Sequence, residues 1–217
     1  KDTIGGAIAG TTISLSKTSH FSENTADLGA AIGTLSGGSS SNLTEKITLS
    51  NGSFTFEKNK ANKRGVIYAP SVSIKGNNIT FNQNTSTHDG SAIYFTKDAT
   101  IESLGSVLFT GNNVTAEQAS STATGGQTTN TTNYGAAIFG DPGTQTTDTT
   151  LKLIASSGNI TFSNNSQNTA TNNPATKFCS ISGYVKLTLQ AAQGKTISFF
   201  DSIRTSTKKT GQAQNSY

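Results

Sequence analysis

The sequence predicts an all-β solenoid, in which short strands wind into stacked coils, and three observations support this. The composition favours strands over helices, because only 13% of the 217 residues are charged, Met and Trp are absent, and Ser, Thr and Asn are abundant. Two four-residue motifs alternate along the chain. Their shortest spacing, about 25 residues, suits one coil of a solenoid.

The first motif is a Phe followed three residues later by an Asn. The residue two before each Phe is mostly bulky and apolar and the residue between is mostly Thr, so strand alternation points the Phe inward. Successive coils should stack these rings, with Phe199, as an interior column. The five copies are Phe21 and Asn24, Phe56 and Asn59, Phe81 and Asn84, Phe109 and Asn112, and Phe162 and Asn165.

The Asn of this motif is expected at a corner of the coil. An Asn tolerates a left-handed backbone, and its amide can bond neighbouring main chain or the Asn of the next coil, which would form a ladder. In the last coil Ser202 stands three residues after Phe199, where the other copies have Asn. In this interpretation Phe fills the interior and Asn turns the chain.

The second motif combines glycine, small residues and Ile. Its second position is small in every copy, which indicates a crowded backbone. Two degenerate copies, Arg64 to Ile67 and Phe178 to Ile181, lack the leading Gly. The other copies are Gly5, Gly6, Ala7 and Ile8; Gly29, Ala30, Ala31 and Ile32; Gly90, Ser91, Ala92 and Ile93; and Gly135, Ala136, Ala137 and Ile138.

The spacing of the motif Ile residues defines the coil and its insertions. From Ile to Ile the steps are 24, 35, 26, 45 and 43 residues, and the short steps suit a coil of three short strands and three corners. The longer steps carry polar segments that are too poor in apolar residues to pack by themselves. They either bind a partner or serve as antigenically variable decoration. The segments are 34–46, 115–133, 140–150 and 168–177.

Charge and chemistry narrow the function. The formal charge of +4 is modest and no dense basic and aromatic face is present, which argues against nucleic acid. A basic run at one corner could meet an anionic glycan, or it is a solvated turn. The 12 Asp and Glu residues are scattered, so we predict no catalytic residues, metal ligands or cofactor, although parallel β-helices also include polysaccharide-degrading enzymes. The basic run contains Lys58, Lys60, Lys63 and Arg64.

The alternation of Phe-x-x-Asn with Gly-Gly-Ala-Ile resembles the polymorphic membrane proteins of Chlamydia, a family of autotransporters. The resemblance covers nearly the whole chain, and "GKTISFFD" (Gly194 to Asp201) is similar to the segment that closes the repeat region in that family. It implies a right-handed parallel β-helix passenger over residues 1–203. Residues 204–217 then form a polar linker or tail.

The resemblance also implies an adhesin for host epithelial cells, displayed on the bacterial outer membrane or released from it. In that family both motifs are associated with adhesion to a receptor on the host cell. A Phe in an interior column cannot touch a receptor, so we expect the motifs to build the scaffold while exposed parts of the coils make contact. A structural stalk or antigenic screen is the alternative.

Self-association is a further expectation from the sequence. The chain starts on a motif, with no Met, leader or polar capping segment before it, so we expect a soluble piece of a longer protein. The first coil would then expose unpaired backbone groups above an apolar column. Such an edge favours stacking of one copy on another.

Overall fold

The computed structural model describes residues 2–35, 44–115, 137–143, 147–168 and 176–205, with backbone alone at 168 and 176–178. Most of the four predicted insertions and of the tail, as well as Gly135 and Ala136, lie outside the described residues. All regular secondary structure in the described part is strand. It contains no helix that could cross a membrane.

The strands follow one another along the chain in the order in which they wind. They are β1 (Ile8–Gly10), β2 (Thr12–Leu15), β3 (Ser19–Ser22), β4 (Thr25–Leu28), β5 (Ile32–Thr34), β6 (Lys46–Glu57), β7 (Lys60–Arg64), β8 (Ile67–Asn82), β9 (Thr85–Ser86), β10 (Ile93–Thr110), β11 (Asn113–Thr115), β12 (Ile138–Gly140), β13 (Thr149–Ala155), β14 (Asn159–Ser163), β15 (Ser166–Asn168), β16 (Thr176–Gly183), β17 (Val185–Ala191), β18 (Ile197–Phe199) and β19 (Ser202–Thr205).

The strands pair in parallel with the equivalent strands of the next coil, which confirms the parallel β-solenoid. The motif Ile residues are Cα partners from coil to coil, so the second motif sets the register at one edge. The exception to parallel pairing is β15 with β16, which are antiparallel. The Ile column runs through Ile8, Ile32, Ile67, Ile93, Ile138, Ile181 and Ile203.

Two of the coils consist mainly of one long strand, where three short strands were predicted. β8 and β10 are 16 and 18 residues long, and their pairing shifts register between Phe95 and Asp98 and between Ser103 and Ser106. The expected three strands are therefore three sections of one strand that bends at bulges, where the ladder of hydrogen bonds is only locally interrupted. A short strand, β9 or β11, completes each of these coils.

The predicted Phe column is confirmed. Ring centroids of successive Phe residues are 4.6–5.1 Å apart, and ring planes differ by 2–12°. This separation follows from the spacing of hydrogen-bonded strands, about 4.8 Å, because each ring sits at the same register as the ring above it. The column consists of Phe21, Phe56, Phe81, Phe109, Phe162 and Phe199.

The corner after each Phe is made by the residue before the Asn, which differs from the prediction. Lys58, Gln83 and Asn164 have φ of 53° to 56°, and Glu23 and Gly111 occupy the same left-handed region in their coils. The Asn itself is not left-handed. The reversal is completed one residue early, so that the Asn side chain can turn into the coil.

This corner predicts opposite effects for two substitutions at equivalent positions. A left-handed conformation costs a residue with a Cβ about 1–2 kcal/mol, offset in part by the flexibility that Gly adds to the unfolded chain. Gly111→Ala should therefore destabilise by about 1 kcal/mol, and Gln83→Gly should stabilise by up to about 1 kcal/mol. Urea unfolding monitored by circular dichroism measures both. Equal midpoints for Gly111→Ala and the parent would contradict the corner assignment.

Candidate functional site

The Asn residues of the first motif form a hydrogen-bonded ladder through the interior. Asn84 donates its backbone N–H and its Nδ2 to Oδ1 of Asn112, at 3.2 and 2.9 Å. Its Nδ2 also donates to the carbonyl oxygen of Phe56 in the preceding coil, at 2.9 Å. Asn59 and Asn112 repeat all three bonds. The predicted ladder is confirmed.

The last member of the ladder is Asp201 and not Ser202. Oδ2 of Asp201 accepts both bonds from Asn165, each at 2.9 Å, and a third from the Ser180 hydroxyl at 3.2 Å. Ser202 is exposed at the start of β19. The expectation of Ser202 at this position was wrong because the segment after Phe199 is one residue shorter than in the other coils.

The side chains of the first motif are buried in four of its five copies. Phe56, Phe81, Phe109 and Phe162 are fully buried, as are their four Asn residues to within 1%. Phe21 is 8% exposed and Asn24 half-buried. The motif side chains of these four copies therefore pack in the interior, as we expected for Phe.

The ladder predicts a large difference between two Asn residues of one coil. Asn84→Leu keeps the branched shape and the number of side-chain heavy atoms but leaves the Asn59 donors and the Phe56 carbonyl unpaired, at about 1–3 kcal/mol for each buried group. We expect a loss of about 3 kcal/mol or more in the free energy of unfolding. Asn82→Leu is the matched control, since the Asn82 side chain faces outward and donates to the Glu57 carboxylate. Equal effects of the two substitutions in urea unfolding would refute the ladder.

The leading glycine of the second motif is required by backbone geometry. Gly5, Gly29 and Gly90 have φ between 53° and 69°. A Cβ at Gly29 or Gly90 would lie 2.4–2.5 Å from the carbonyl oxygen of the motif Ile, far inside contact distance. The described residues that follow in the inner copies, both the small ones and the motif Ile, are fully buried: Ala30, Ala31, Ile32, Ser91, Ala92, Ile93, Ala137 and Ile138. In the first copy Gly6 and Ala7 are exposed and Ile8 is partly buried.

The copy at residues 64–67 does have a leading glycine, which is Gly65. The prediction that Arg64 replaces this glycine was wrong. Gly65 has φ 59°, and its Cβ would meet the Ile67 carbonyl at 2.4 Å, the same relation as at Gly90. Arg64 pairs with Asp89, the residue before Gly90. The copy is thus one residue shorter than the others, and Arg64 does not replace a glycine.

Arg64 belongs to a second, outer cluster and is not part of a free basic patch. Its Nε lies 3.5 Å from Asp89 Oδ2, and its guanidinium sits 4.9 Å from the ring centre of Tyr94. The Tyr94 hydroxyl donates to Asp141 at 2.8 Å. We call the stretch of strand that begins at each motif Ile an Ile section. The cluster lies on the outward side of these sections, where aromatic rings stack from coil to coil: Tyr68, Tyr94 and Phe139.

Two of the four residues predicted to contact a glycan, Lys63 and Arg64, are therefore paired with acidic side chains. Lys63 pairs with Asp2 at 2.6 Å, while Lys58 and Lys60 are exposed. Lys58 occupies the left-handed corner and Lys60 begins β7. The structure leaves two of the four predicted residues, Lys58 and Lys60, without such pairing to an acidic group among the described residues.

Sequence reasoning missed this outer cluster although one signal was present. The residue after the motif Ile is aromatic in three successive coils: Tyr68, Tyr94 and Phe139. Alternation places that residue outside, where a Tyr looks unremarkable. Only the return of the chain over it, through the Arg64 and Asp89 positions, buries Tyr94 to 1% exposure.

Asp89 makes stability depend on pH. Its pKa is raised from 3.8 to about 7, chiefly by burial and also by Asp141, against the opposing effect of Arg64. Oδ1 of Asp89 has no hydrogen-bond partner among the described residues. Because the folded chain holds this proton up to about pH 7 and the unfolded chain releases it near pH 4, the contribution of Asp89 to stability is lost as pH rises through that window.

We expect Asp89→Asn to remove this part of the pH dependence. Relative to the parent, the variant should gain stability between pH 4 and pH 7 by up to about 4 kcal/mol, since each unit of pKa shift is worth about 1.4 kcal/mol. Urea unfolding at a series of pH values measures the gain. Asp98→Asn, on the outer face, is the control and should follow the parent. Parallel curves for Asp89→Asn and the parent would contradict the assignment.

The four insertions leave the solenoid at two corners only. Segments 35–45 and 141–148 both follow the Ile section, after β5 and β12, and rejoin at positions aligned through Lys46 and Thr150. The other two follow β11 and β15, whose ends pair as Thr115 with Asn168. Both of these segments precede an Ile section. We call the strip of Ile sections between the two corners the insertion face.

Known proteins similar to this chain carry the same repeat. The Chlamydia polymorphic membrane protein (Chlamydia_PMP) repeat matches residues 78–96, which hold one copy of each motif. The chain is 75% identical over 203 residues to the probable outer membrane protein PmpB of Chlamydia trachomatis serovar D (strain ATCC VR-885 / DSM 19411 / UW-3/Cx), which covers 88% of this chain and 12% of the relative.

Two further relatives extend the similarity. The chain is 58% identical over 223 residues to the probable outer membrane protein PmpC of Chlamydia muridarum (strain MoPn / Nigg), covering 100% of this chain and 15% of the relative. It is 39% identical over 197 residues to the probable outer membrane protein pmp20 of Chlamydia pneumoniae, covering 88% and 10%. It thus spans only 10–15% of the length of these relatives. No solved structure matches the chain. With one repeat matched and such identity over most of its residues, the chain belongs to the Chlamydia polymorphic membrane protein family.

Proposed function

We propose that this chain is part of the surface-exposed passenger of an outer membrane autotransporter, and that it binds a protein receptor on host epithelial cells through its insertion face. The relatives are named probable outer membrane proteins, which supports a place at the bacterial surface. Adhesion is the function that the family resemblance implies for both motifs. The motifs act in adhesion by holding the coils in register, and the insertions make the contact.

One observation carries this proposal. The Phe and Asn side chains of the inner coils are buried, whereas all four insertions depart from corners on either side of the Ile sections. In solenoids the insertions gather on particular faces, often the face that binds. A partner that touches the insertion face would meet segments from several coils at once. That arrangement gives the repeated motifs a role in adhesion without requiring them to be exposed.

An anionic glycan is a second partner in this proposal, with a smaller contact surface. Lys58 and Lys60 are exposed next to a corner, and both ammonium groups can reach sulfate or carboxylate groups of a host glycan. Such a contact between exposed charges weakens with salt. The contact steers the chain towards the cell surface, and the insertion face supplies the specific binding.

Adhesion of coated beads to epithelial cells tests the proposal. Replacing residues 116–133 by a short Gly and Ser linker should lower adhesion severalfold while the melting temperature stays that of the parent, because the strand pairs at Thr115 and Ile138 on either side of the segment are kept. Replacement of 36–43 in the same way tests the other corner. A matched control exchanges 116–133 for a scrambled sequence of the same composition, which should also lose adhesion if specific contacts matter.

The core variant Phe81→Ala separates scaffold from contact. It should lose about 3–5 kcal/mol of stability as a truncation in a packed core, and lose adhesion only to the extent that it unfolds. Adhesion lost in a Phe81→Ala variant that melts like the parent would place the receptor at the motif. A parent chain that binds no cells would favour the stalk or antigenic screen.

A further inference from the structure

One exposed asparagine lies at a bulge that the pairing of strands leaves out. In β6 the Cα partners are Ser50 with Lys75 and Gly52 with Gly76, so Asn51 is an extra residue between two paired positions. Asn51 is exposed and has φ 57°, in the left-handed region that Asn tolerates better than most residues. Within the described residues its carboxamide makes no side-chain hydrogen bond. The carboxamide is therefore available to the main chain beside it.

The residue after Asn51 has to be glycine. A Cβ at Gly52 would lie 2.6 Å from the carbonyl carbon and 2.7 Å from the carbonyl oxygen of Lys17 in the preceding coil, closer than a Cβ can approach. A left-handed bulge that suits Asn and a close approach that requires Gly thus place Asn and Gly side by side. This is the only Asn-Gly pair in the 217-residue sequence.

An Asn followed by Gly can close on itself, because the glycine nitrogen is the least hindered of the backbone nucleophiles. The nitrogen of Gly52 loses its proton and attacks Cγ of Asn51. The bond between Cγ and Nδ2 breaks, and Nδ2 leaves as ammonia with a proton in place of the lost bond. Water then opens the cyclic imide at either carbonyl carbon, which gives aspartate or isoaspartate. The reaction consumes only water and involves no oxidation or reduction.

We propose that Asn51 is a site of spontaneous deamidation in the folded chain, where it yields both aspartate and isoaspartate. Each converted chain carries a carboxylate in place of an exposed amide, and its formal charge falls by one from +4. Isoaspartate also adds a methylene to the main chain, at the residue that strand pairing already leaves out. This bulge is not at either corner where insertions depart, so the inference is independent of the receptor proposal.

The chain contains a matched asparagine at another turn. Asn164 is exposed and has φ 56°, but the next residue is Asn165, whose Cβ hinders attack by its nitrogen. The backbone N–H of Asn165 is also engaged, since it donates to Oδ2 of Asp201 at 2.9 Å. Asn164 therefore shares the φ angle and the exposure of Asn51 without its reactive neighbour.

Peptide mapping by mass spectrometry after incubation of the folded 217-residue chain tests the proposal. The converted peptide is heavier by the difference between a hydroxyl and an amino group, and its aspartate and isoaspartate forms separate in chromatography. We expect Asn51 to convert roughly tenfold faster than Asn164, because Gly52 has no Cβ beside the attacking nitrogen. The rate should rise severalfold from neutral to mildly alkaline buffer, because that nitrogen must lose a proton.

The variant Asn51→Gly is the control for assignment of the site. Glycine adopts a φ of 57° without strain, so this variant should keep the melting temperature of the parent in circular dichroism. It should also lose the fast mass change while the slow conversion of Asn164 continues at the rate found in the parent. A fast mass change that persists in Asn51→Gly would place the reactive residue elsewhere and contradict the proposal.

Incubation of the same chain in urea shows whether the fold permits the reaction. Conversion of Asn51 in both the folded and the unfolded chain is the expected result. An Asn51 that survives in the folded chain, over a time that converts it in urea, would overturn the proposal, because the bulge would then protect the amide. Equal rates at Asn51 and Asn164 in the folded chain, or no conversion in either state, would overturn it as well.

Discussion

The buried hydrogen bond between Asn side chains of adjacent coils is the interaction on which the rest of this structure depends. An amide in an apolar interior must be fully paired, and each inner Asn is paired by the side chain at the same register one coil away and by the Phe carbonyl of the preceding coil. A slip of one residue would turn every side chain to the opposite face and leave several buried donors and acceptors unpaired. The ladder therefore fixes the register, and the Phe rings beside it can stack face to face because the register is fixed.

Because the register is fixed, repeated motifs and inserted segments of different length can share one chain. Each coil contacts only its neighbours, so the stability of a solenoid is approximately a sum over coils and their interfaces. A segment inserted at a corner leaves those interfaces intact, provided that the chain returns at the same place. The paired positions on either side of the segment 36–43, Gly33 with Tyr68 before it and Lys46 with Ser71 after it, show that it does. Function can then change at the corners while the interior stays the same.

The outer cluster shows a different balance between stability and chemistry. Arg64 and Asp89 occupy a column that begins with Ile4 and Leu28, so a charged pair continues an apolar row. The Arg64 guanidinium lies over the ring of Tyr94, and burial outweighs Arg64 in its effect on the pKa of Asp89. Replacing such a pair by apolar residues often costs nothing. Through Asp89, this pair makes the stability of this part of the solenoid depend on pH.

Repetition along the sequence was enough to predict the class of fold, the coil length, the Phe column and the Asn ladder, because in each the same residue returns at the same register. It did not determine where the left-handed turn falls, that Gly65 is the leading glycine of its copy, or that Asp201 ends the ladder. Those depend on a residue gained or lost between fixed points, which a motif cannot reveal. The burial of Arg64 and Tyr94 was likewise decided only by tertiary structure, since alternation along a strand says which side faces outward but not what covers it.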